Sequence, residues 1–253
     1  RYWFITPIQT AVKSNRASQE GSIEMIPDSV IPEDELGILM RSRNQMLEAI
    51  QNLYNQDALE TLCNAVDAKD QYTEGHSRRV GQIGAALGRR LDLDPQTCDR
   101  IHYAGTLHDI GKIGVPDEIL NKPGSLTDDE FEQIMQHPVR GENMIQFSNI
   151  SSNVKEGIRH HHEQYDGGGY PDGLAGTDIP LFGRVLAVAD AMDAMLSNRS
   201  YRDALSDDVV RAELEDNAGS QFDPEMARAG VTLLEESMEQ NQDFLEEYLP
   251  SLG

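Results

Sequence analysis

From Leu36 the apolar positions Leu36, Leu39, Met46, Ile50 and Leu53 fall in alternating steps of three and four, with only Arg43 breaking the register. That spacing predicts a helix with a heptad seam. A shorter helix is predicted from Pro7 to about Ala17, with the proline suited to a first-turn position. An irregular connector through Gly21, Pro27 and Pro32 lies between them. From about Ala58 onward the pattern reads as helices joined by short turns. The Lys122-Pro123-Gly124 turn precedes Thr127-Asp-Asp-Glu130, which has the spacing of a capping box, and Ser206 is placed to cap a helix before Val209. There is no sustained strand alternation, no Gly-rich βαβ fingerprint and no internal repeat, so the fold class is all-α. The acidic run from Glu235 to Glu247 reads as a solvated helix face, and Met144, Met192 and Met195 as core filler.

Composition narrows this picture. A length of 253 residues suits one large domain plus a small accessory module. The 44 acidic residues outnumber the 21 basic ones for a net charge of −23, which argues against binding long nucleic acid or an anionic membrane surface. An anionic ligand therefore needs local positive charge. Cys63 and Cys98 lack any C-x-x-C spacing, so neither a disulfide framework nor a thiolate metal site is indicated, and a reducing cytoplasm fits. No stretch reaches the roughly 18 apolar residues of a membrane span, and the start lacks the layout of a signal peptide.

The candidate chemistry lies in the histidines. There are seven, and five sit in distinctive contexts beside acidic or small residues. A lone histidine on a helix is usually a packing residue; several agreeing contexts are not. In Leu107-His108-Asp109-Ile110-Gly111-Lys112-Ile113-Gly114 the His–Asp pair lies about 100° apart on a helix and can reach one or two cations from the same edge. Asp109 carries two oxygens and can bridge two metals. Lys112, one helical turn beyond His108, faces the same cleft. In His161-His162-Glu163-Gln164-Tyr165-Asp166-Gly167-Gly168-Gly169-Tyr170-Pro171 the glycines let backbone approach a ligand closely, although a polar surface loop would read the same way. This run lacks the Gly-Lys-Ser/Thr ending of a P-loop.

Together these segments resemble the HD-GYP family: HDIGK at 108–112, HHEQYDGGGYP at 161–171, DAKDQYTEGHSRRV at 67–80, QHP at 136–138 and AVADAMDAM at 187–195. The resemblance covers about 58–250 and implies an HD-type helical bundle over residues 56–253. By matched position it assigns His76, His108, Asp109, His137, His161, His162 and Asp190 as metal ligands, with His102 and His160 as packing or flanking residues. Imidazole and carboxylate without sulfur suit iron or manganese better than a structural zinc. Two such ions about 3.5–4 Å apart can activate a hydroxide for in-line displacement at phosphorus. Some family members hold a third metal with a glutamate four residues before the first histidine. That position is Tyr72 here, and Glu74 lies on a different part of the helix, so two divalent ions are expected.

The resemblance further implies hydrolysis of cyclic di-GMP, or a related dinucleotide such as 3′,3′-cGAMP, to the linear product. Asp109 and Lys112 carry the chemistry; Lys112, Arg199 and Arg202 meet the phosphates; Tyr170 packs on a guanine or hydrogen-bonds a phosphate; and Asp193 orients water or ligand. One alternative is a catalytically silent receptor for the nucleotide, and another a partner-binding module that uses the loop around Tyr170.

Residues 1–55, from Pro7 through the Asp34-Glu-Leu-Gly37 stretch, resemble a HAMP linker. This implies a homodimer through a parallel four-helix bundle, with Arg1-Tyr-Trp-Phe4 as interfacial aromatic residues at a membrane exit. The chain then reads as the cytoplasmic part of a truncated receptor anchored in the bacterial inner membrane. Its heptad helix would be coupled to the helix bearing His76.

Overall fold

The computed structural model describes residues 2–19, 25–69, 75–146, 150–198 and 203–240. The chain divides into two compact units, Arg1–Leu59 and Glu60–Gly253.

The first unit contains helix α1 (Tyr2–Gln19), a connector with one 3-10 turn at Asp28–Val30, and the first part of a long helix α2 (Glu35–Lys69). Helix, connector, helix is thus the observed order, but Pro7 lies inside α1 rather than in its first turn, since the helix begins at Tyr2. The proline removes one backbone donor, and the helix continues through it. Asp34 starts α2: the Gly37 N–H donates to Asp34 Oδ1 at 3.1 Å, which partners one of the free N–H groups of a first turn. The Asn44 amide pins the connector by pairing with both backbone groups of Ile26, at 3.0 and 2.8 Å. Ile26 and Met40 are buried, whereas the seam positions Leu39 and Met46 are 67% and 58% exposed. A heptad seam is covered only by a second helix, and a single chain leaves these two side chains open. The side chains of Ile50 and Leu53 lie outside the described residues.

The second unit starts within α2 and continues through α3 (His76–Arg90), α4 (Pro95–Leu107), α5 (Asp117–Leu120), α6 (Asp128–Met135), α7 (His137–Met144), α8 (Ser152–His160), α9 (Leu181–Leu196), α10 (Asp207–Asp216) and α11 (Pro224–Gln240). No strand occurs among the described residues; one isolated bridge joins Ala218 and Phe222. Caps set several helix starts. Asp94 accepts the Thr97 N–H ahead of Pro95, and Thr127 and Glu130 form both bonds of the capping box. Ser206 occupies the cap position of α10 but makes no side-chain capping bond.

Helix α9 runs through the core and packs on α3, α4, α8 and α11. It is apolar around most of its circumference, burying Phe182, Val185, Leu186, Val188, Ala189, Met192 and Leu196, as a central helix must. Each large side chain buried there contributes about 1.5–3 kcal/mol. Met192 is fully buried, but Met144 is 46% exposed and fills no core. Helices α3 and α4 cross glycine on glycine: a Cβ on Gly105 would sit 2.7 Å from Gly81 Cα. This close crossing fixes the spacing between the helix that opens with His76 and the helix that ends before His108. None of the helices among the described residues is long and apolar enough to cross a membrane. Of the acidic run at 235–247, residues up to Gln240 belong to α11 and the rest lie outside the described residues.

Candidate metal centre

The histidines of the site sit at helix termini. His76 is the first residue of α3 and His137 the first of α7, His161 follows α8 directly, and His162 comes next. Helix α4 ends at Leu107, so His108 is its terminal cap, and Asp109, at φ −95° and ψ 3°, begins a 3-10 turn over Ile110–Gly114. The sequence reading placed the His–Asp pair on one helix; the pair instead marks where the helix breaks. Gly111 explains the break. A Cβ there would lie 1.9 Å from His137 O and 2.6 Å from Gly141 N, so the turn presses its bare backbone against α7. Asp190 comes from α9.

Three of these imidazoles are held alike. The Nδ1 atoms of His108, His137 and His161 bond the carbonyls of Gly105, Ile134 and Ile158, three residues upstream, at 2.6, 2.7 and 2.8 Å. A carbonyl only accepts, so each Nδ1 carries the hydrogen, and in the neutral ring Nε2 is left as a lone pair. His76 Nδ1 is bonded to Asp193 Oδ2 at 2.7 Å, with the same consequence. The Nε2 atoms then converge. Those of His137 and His161 are 3.3 Å apart; Asp109 Oδ1 lies 3.2 Å from His137 Nε2, and Asp109 Oδ2 lies 3.3 Å from His108 Nε2 and 3.8 Å from His76 Nε2. Asp190 Oδ1 lies 3.4 Å from His76 Nε2.

The donor atoms fall into overlapping groups, His76–His108–Asp190, His108–Asp109–His161 and His137–His161–His162, each with its ligand atoms within 4.8 Å of one another. Asp109 presents one oxygen toward each end of the array. Two features fit a cation. His108 Nε2 is buried and makes no hydrogen bond, despite its proximity to Asp109, and buried polar atoms rarely go unpartnered. The facing lone pairs of His137 and His161 repel each other unless a positive charge lies between them.

Charge states agree. Burial, reinforced by neighbouring imidazoles, holds His161 well below the usual histidine range and brings His162 down to about 3, so both are neutral, the form that ligates metal. Burial opposes the charge on Asp109, but Lys112 and His108 outweigh it and hold the carboxyl well below its usual range. Burial likewise opposes a proton on His108, yet Asp109 and Asp190 raise that group to about 9. Without an ion the two carboxylates thus favour a proton at Nε2, which a bound cation would displace. A set of imidazoles and carboxylates without sulfur suits a first-row divalent ion.

The HD-domain family matches residues 60–226. The chain belongs to the HD-domain family. A cyclic di-GMP phosphodiesterase of Vibrio cholerae is 34% identical over 88% of this chain and 49% of its own length. A 3′3′-cGAMP-specific phosphodiesterase of the same organism is 35% identical over 76% of this chain and 37% of its own. The chain thus spans about half, or less, of the length of these curated relatives. The crystal structure of a cyclic GMP-AMP-specific phosphodiesterase of V. cholerae superposes with a TM-score of 0.58 at 20% identity, covering 76% of this chain and 50% of the other, so it shares the fold.

In this HD domain the other candidates are placed unevenly. Lys112 Nζ lies 2.6 Å from Asp109 Oδ2, at the centre itself. The Tyr170 ring stacks on His162, with centroids 4.8 Å apart. Asp193 is not the ligand contact expected of it: it is 1% exposed, and His76 and Arg79 occupy its two oxygens. His160 Nε2 bonds Asp172 at 3.0 Å and is a packing residue; the backbone of His102 packs against Gly81. Arg199, Arg202, Tyr72 and Glu74 lie outside the described residues.

The sequence reading missed three supports. Glu163 is buried and accepts the N–H groups of Asp172 and Leu174 at 2.7 and 3.1 Å, tying down the loop that carries Tyr170. Asp67 accepts the Ser77 hydroxyl at 2.6 Å beside His76, and Arg79 bonds Asp193. The signal for Glu163 was an acid inside a ligand motif, and Asp67 and Arg79 lie within the motif at 67–80, but nothing local to the sequence assigned their partners, and that of Arg79 is 114 positions away.

Proposed function

We propose that the chain is a phosphodiesterase of HD-GYP type that opens cyclic di-GMP, or a related dinucleotide such as 3′,3′-cGAMP, to the linear dinucleotide. The observation that carries this reading is the pair of imidazole clusters with converging Nε2 lone pairs, joined through the two oxygens of Asp109. The names of the two Vibrio relatives support the substrate class.

Ligands for two ions are at hand, with His76, His108 and Asp190 at one end, His137, His161 and His162 at the other, and Asp109 between them; iron or manganese fits the donors. Bound there, such ions supply Lewis acidity and bring the pKa of a coordinated water toward neutrality. Asp109 sets the separation of the two halves and remains anionic. The four locked imidazoles cannot turn the wrong nitrogen inward. Lys112, with its side chain 18% exposed, brings positive charge to a strongly acidic protein where a phosphate must dock, and Arg199 and Arg202 are proposed to extend that patch. Tyr170, half-buried over His162, is proposed to contact the base or phosphate. Tyr72 in the position of a glutamate argues for two ions rather than three.

Residues 1–55 are proposed to act as a HAMP-like linker that pairs two chains, with residues 56–253 as the catalytic domain and an anchor in the inner membrane of the full-length protein. The DELG cap at Asp34 and the exposed seam residues Leu39 and Met46 support this part.

The test is metal analysis of protein purified without oxygen, followed by chromatography of products from cyclic di-GMP and 3′,3′-cGAMP. Two equivalents of metal and a linear product are expected, and Asp109→Ala should lose both. Metal-free protein would overturn the reading. Loaded protein that binds nucleotide without turnover would leave a receptor instead.

A further inference from the structure

His76 differs from the other locked imidazoles. His108, His137 and His161 each follow a helical turn whose carbonyl, three residues back, fixes Nδ1. Two of them, His108 and His161, stand at helix C-termini, where unpaired carbonyls are plentiful. His76 is the first residue of α3, preceded by Gly75 at φ 70°. Its Nδ1 is held instead by Asp193 Oδ2 at 2.7 Å, a side chain 117 positions away on α9. The orientation of this one ligand is therefore a tertiary matter.

Asp193 is in turn held by Arg79. The guanidinium lies one helical turn after His76, on the same face of α3, and donates from Nε to Asp193 Oδ1 and from Nη2 to Asp193 Oδ2, the latter at 3.2 Å. This two-pronged grip sets the plane of the carboxylate. It keeps Oδ2 on the His76 side, one turn along α9 from Asp190. A buried carboxylate at 1% exposure also needs a cation beside it. Helix α3 thus carries His76 and Arg79, and α9 carries Asp190 and Asp193, each pair three residues apart.

We propose that Arg79 is a positioning residue: acting through Asp193 it fixes the ring of His76, and so sets metal affinity at the His76–His108–Asp190 end while leaving the His137–His161–His162 end untouched. This rests on the two-metal reading above. The second end contains no ligand supported from α3, and His137 and His161 take their Nδ1 contacts from their own segments.

The experiment is a Mn(II) titration of the full chain, followed by metal content and by electron paramagnetic resonance, which separates a spin-coupled Mn pair from an isolated ion. Wild-type protein is expected to bind two Mn(II) with a coupled spectrum. Arg79→Met, which keeps length and apolar packing, should bind the first ion with wild-type affinity and the second about 10–100-fold more weakly, as loss of a ligand's supporting contact does. At intermediate Mn(II) its spectrum is that of an isolated ion. Arg79→Lys retains charge without the fork and should fall between the two, and it provides the test if the methionine variant does not fold. Two wild-type affinities in either folded variant, or equal weakening at both ends, would overturn the proposal. Wild-type protein that binds no Mn(II) would instead sink the metal reading itself.

Discussion

Replacing Gly111 by alanine perturbs a residue that has no side chain to ligate a metal, yet the structure predicts that it breaks the centre. The added Cβ would sit 1.9 Å from His137 O and 2.6 Å from Gly141 N, both backbone atoms of α7, where ordinary contact starts at 3.4 Å. No side chain can swing aside, so the turn and α7 must separate by about 1.5 Å, and overpacking of this kind costs about 1–3 kcal/mol. For a domain of this size each kcal/mol lowers Tm by about 2–4 °C. The functional effect is larger. Asp109 lies two residues before Gly111, and its Oδ1 is 3.2 Å from His137 Nε2, so the separation opens the array between its two ends, whereas metal sites tolerate about 0.2 Å. Metal at 100 times its Kd stabilises the wild type by about 2.7 kcal/mol. The variant should show a reduced Tm without metal and little further rise with Mn(II). Thermal unfolding with and without Mn(II), alongside metal content, measures both effects. A variant that melts with wild type, gains the same increment on metal and holds two ions would show that the contact between this turn and α7 does not set the ligand geometry.

Glu163→Gln replaces an acceptor of two backbone N–H groups by a side chain that accepts only one and turns an NH2 toward the other. A buried donor left unpaired costs about 1–3 kcal/mol, so the denaturation midpoint should fall and the peptide around Gly173 should become easier to cleave; a wild-type midpoint would refute the tie. Acid should destabilise the metal-free protein through His162. Its folded pKa of about 3 lies below the ordinary histidine value of 6.5, so between these limits the unfolded chain takes up a proton that the folded chain does not. That contribution to stability is present above pH 6.5 and is lost as pH falls toward 3. His162→Gln should lose up to about 1.4 kcal/mol per pH unit of this slope, measured by denaturant unfolding at a series of pH values; an unchanged slope would place the buried neutral imidazole elsewhere.

The all-α class was legible because helical periodicity and caps act over three or four residues, and each signal is contained in its own segment. Thr127 and Glu130 form their reciprocal cap from adjacent turns. The candidate ligands were legible too, as unusual neighbourhoods around His108, His137 and His161. The break of the helix at His108 was not, because it depends on Gly111 meeting a backbone carbonyl of α7, a contact between segments. Asp193 illustrates the same limit: three residues from Asp190 on one helix, it reads as a second site carboxylate. Only the packing of α3 on α9 turns it away from the cleft, into the grip of His76 and Arg79. Residue type and short-range spacing thus determined which groups can ligate and which segments are helical, since both are local properties of the chain. Which nitrogen of His76 faces inward was decided by the packing of α3 on α9, and how far apart the two ends of the array stand by the close backbone contacts at Gly81, Gly105 and Gly111, because those distances belong to pairs of backbones and to no single stretch of sequence.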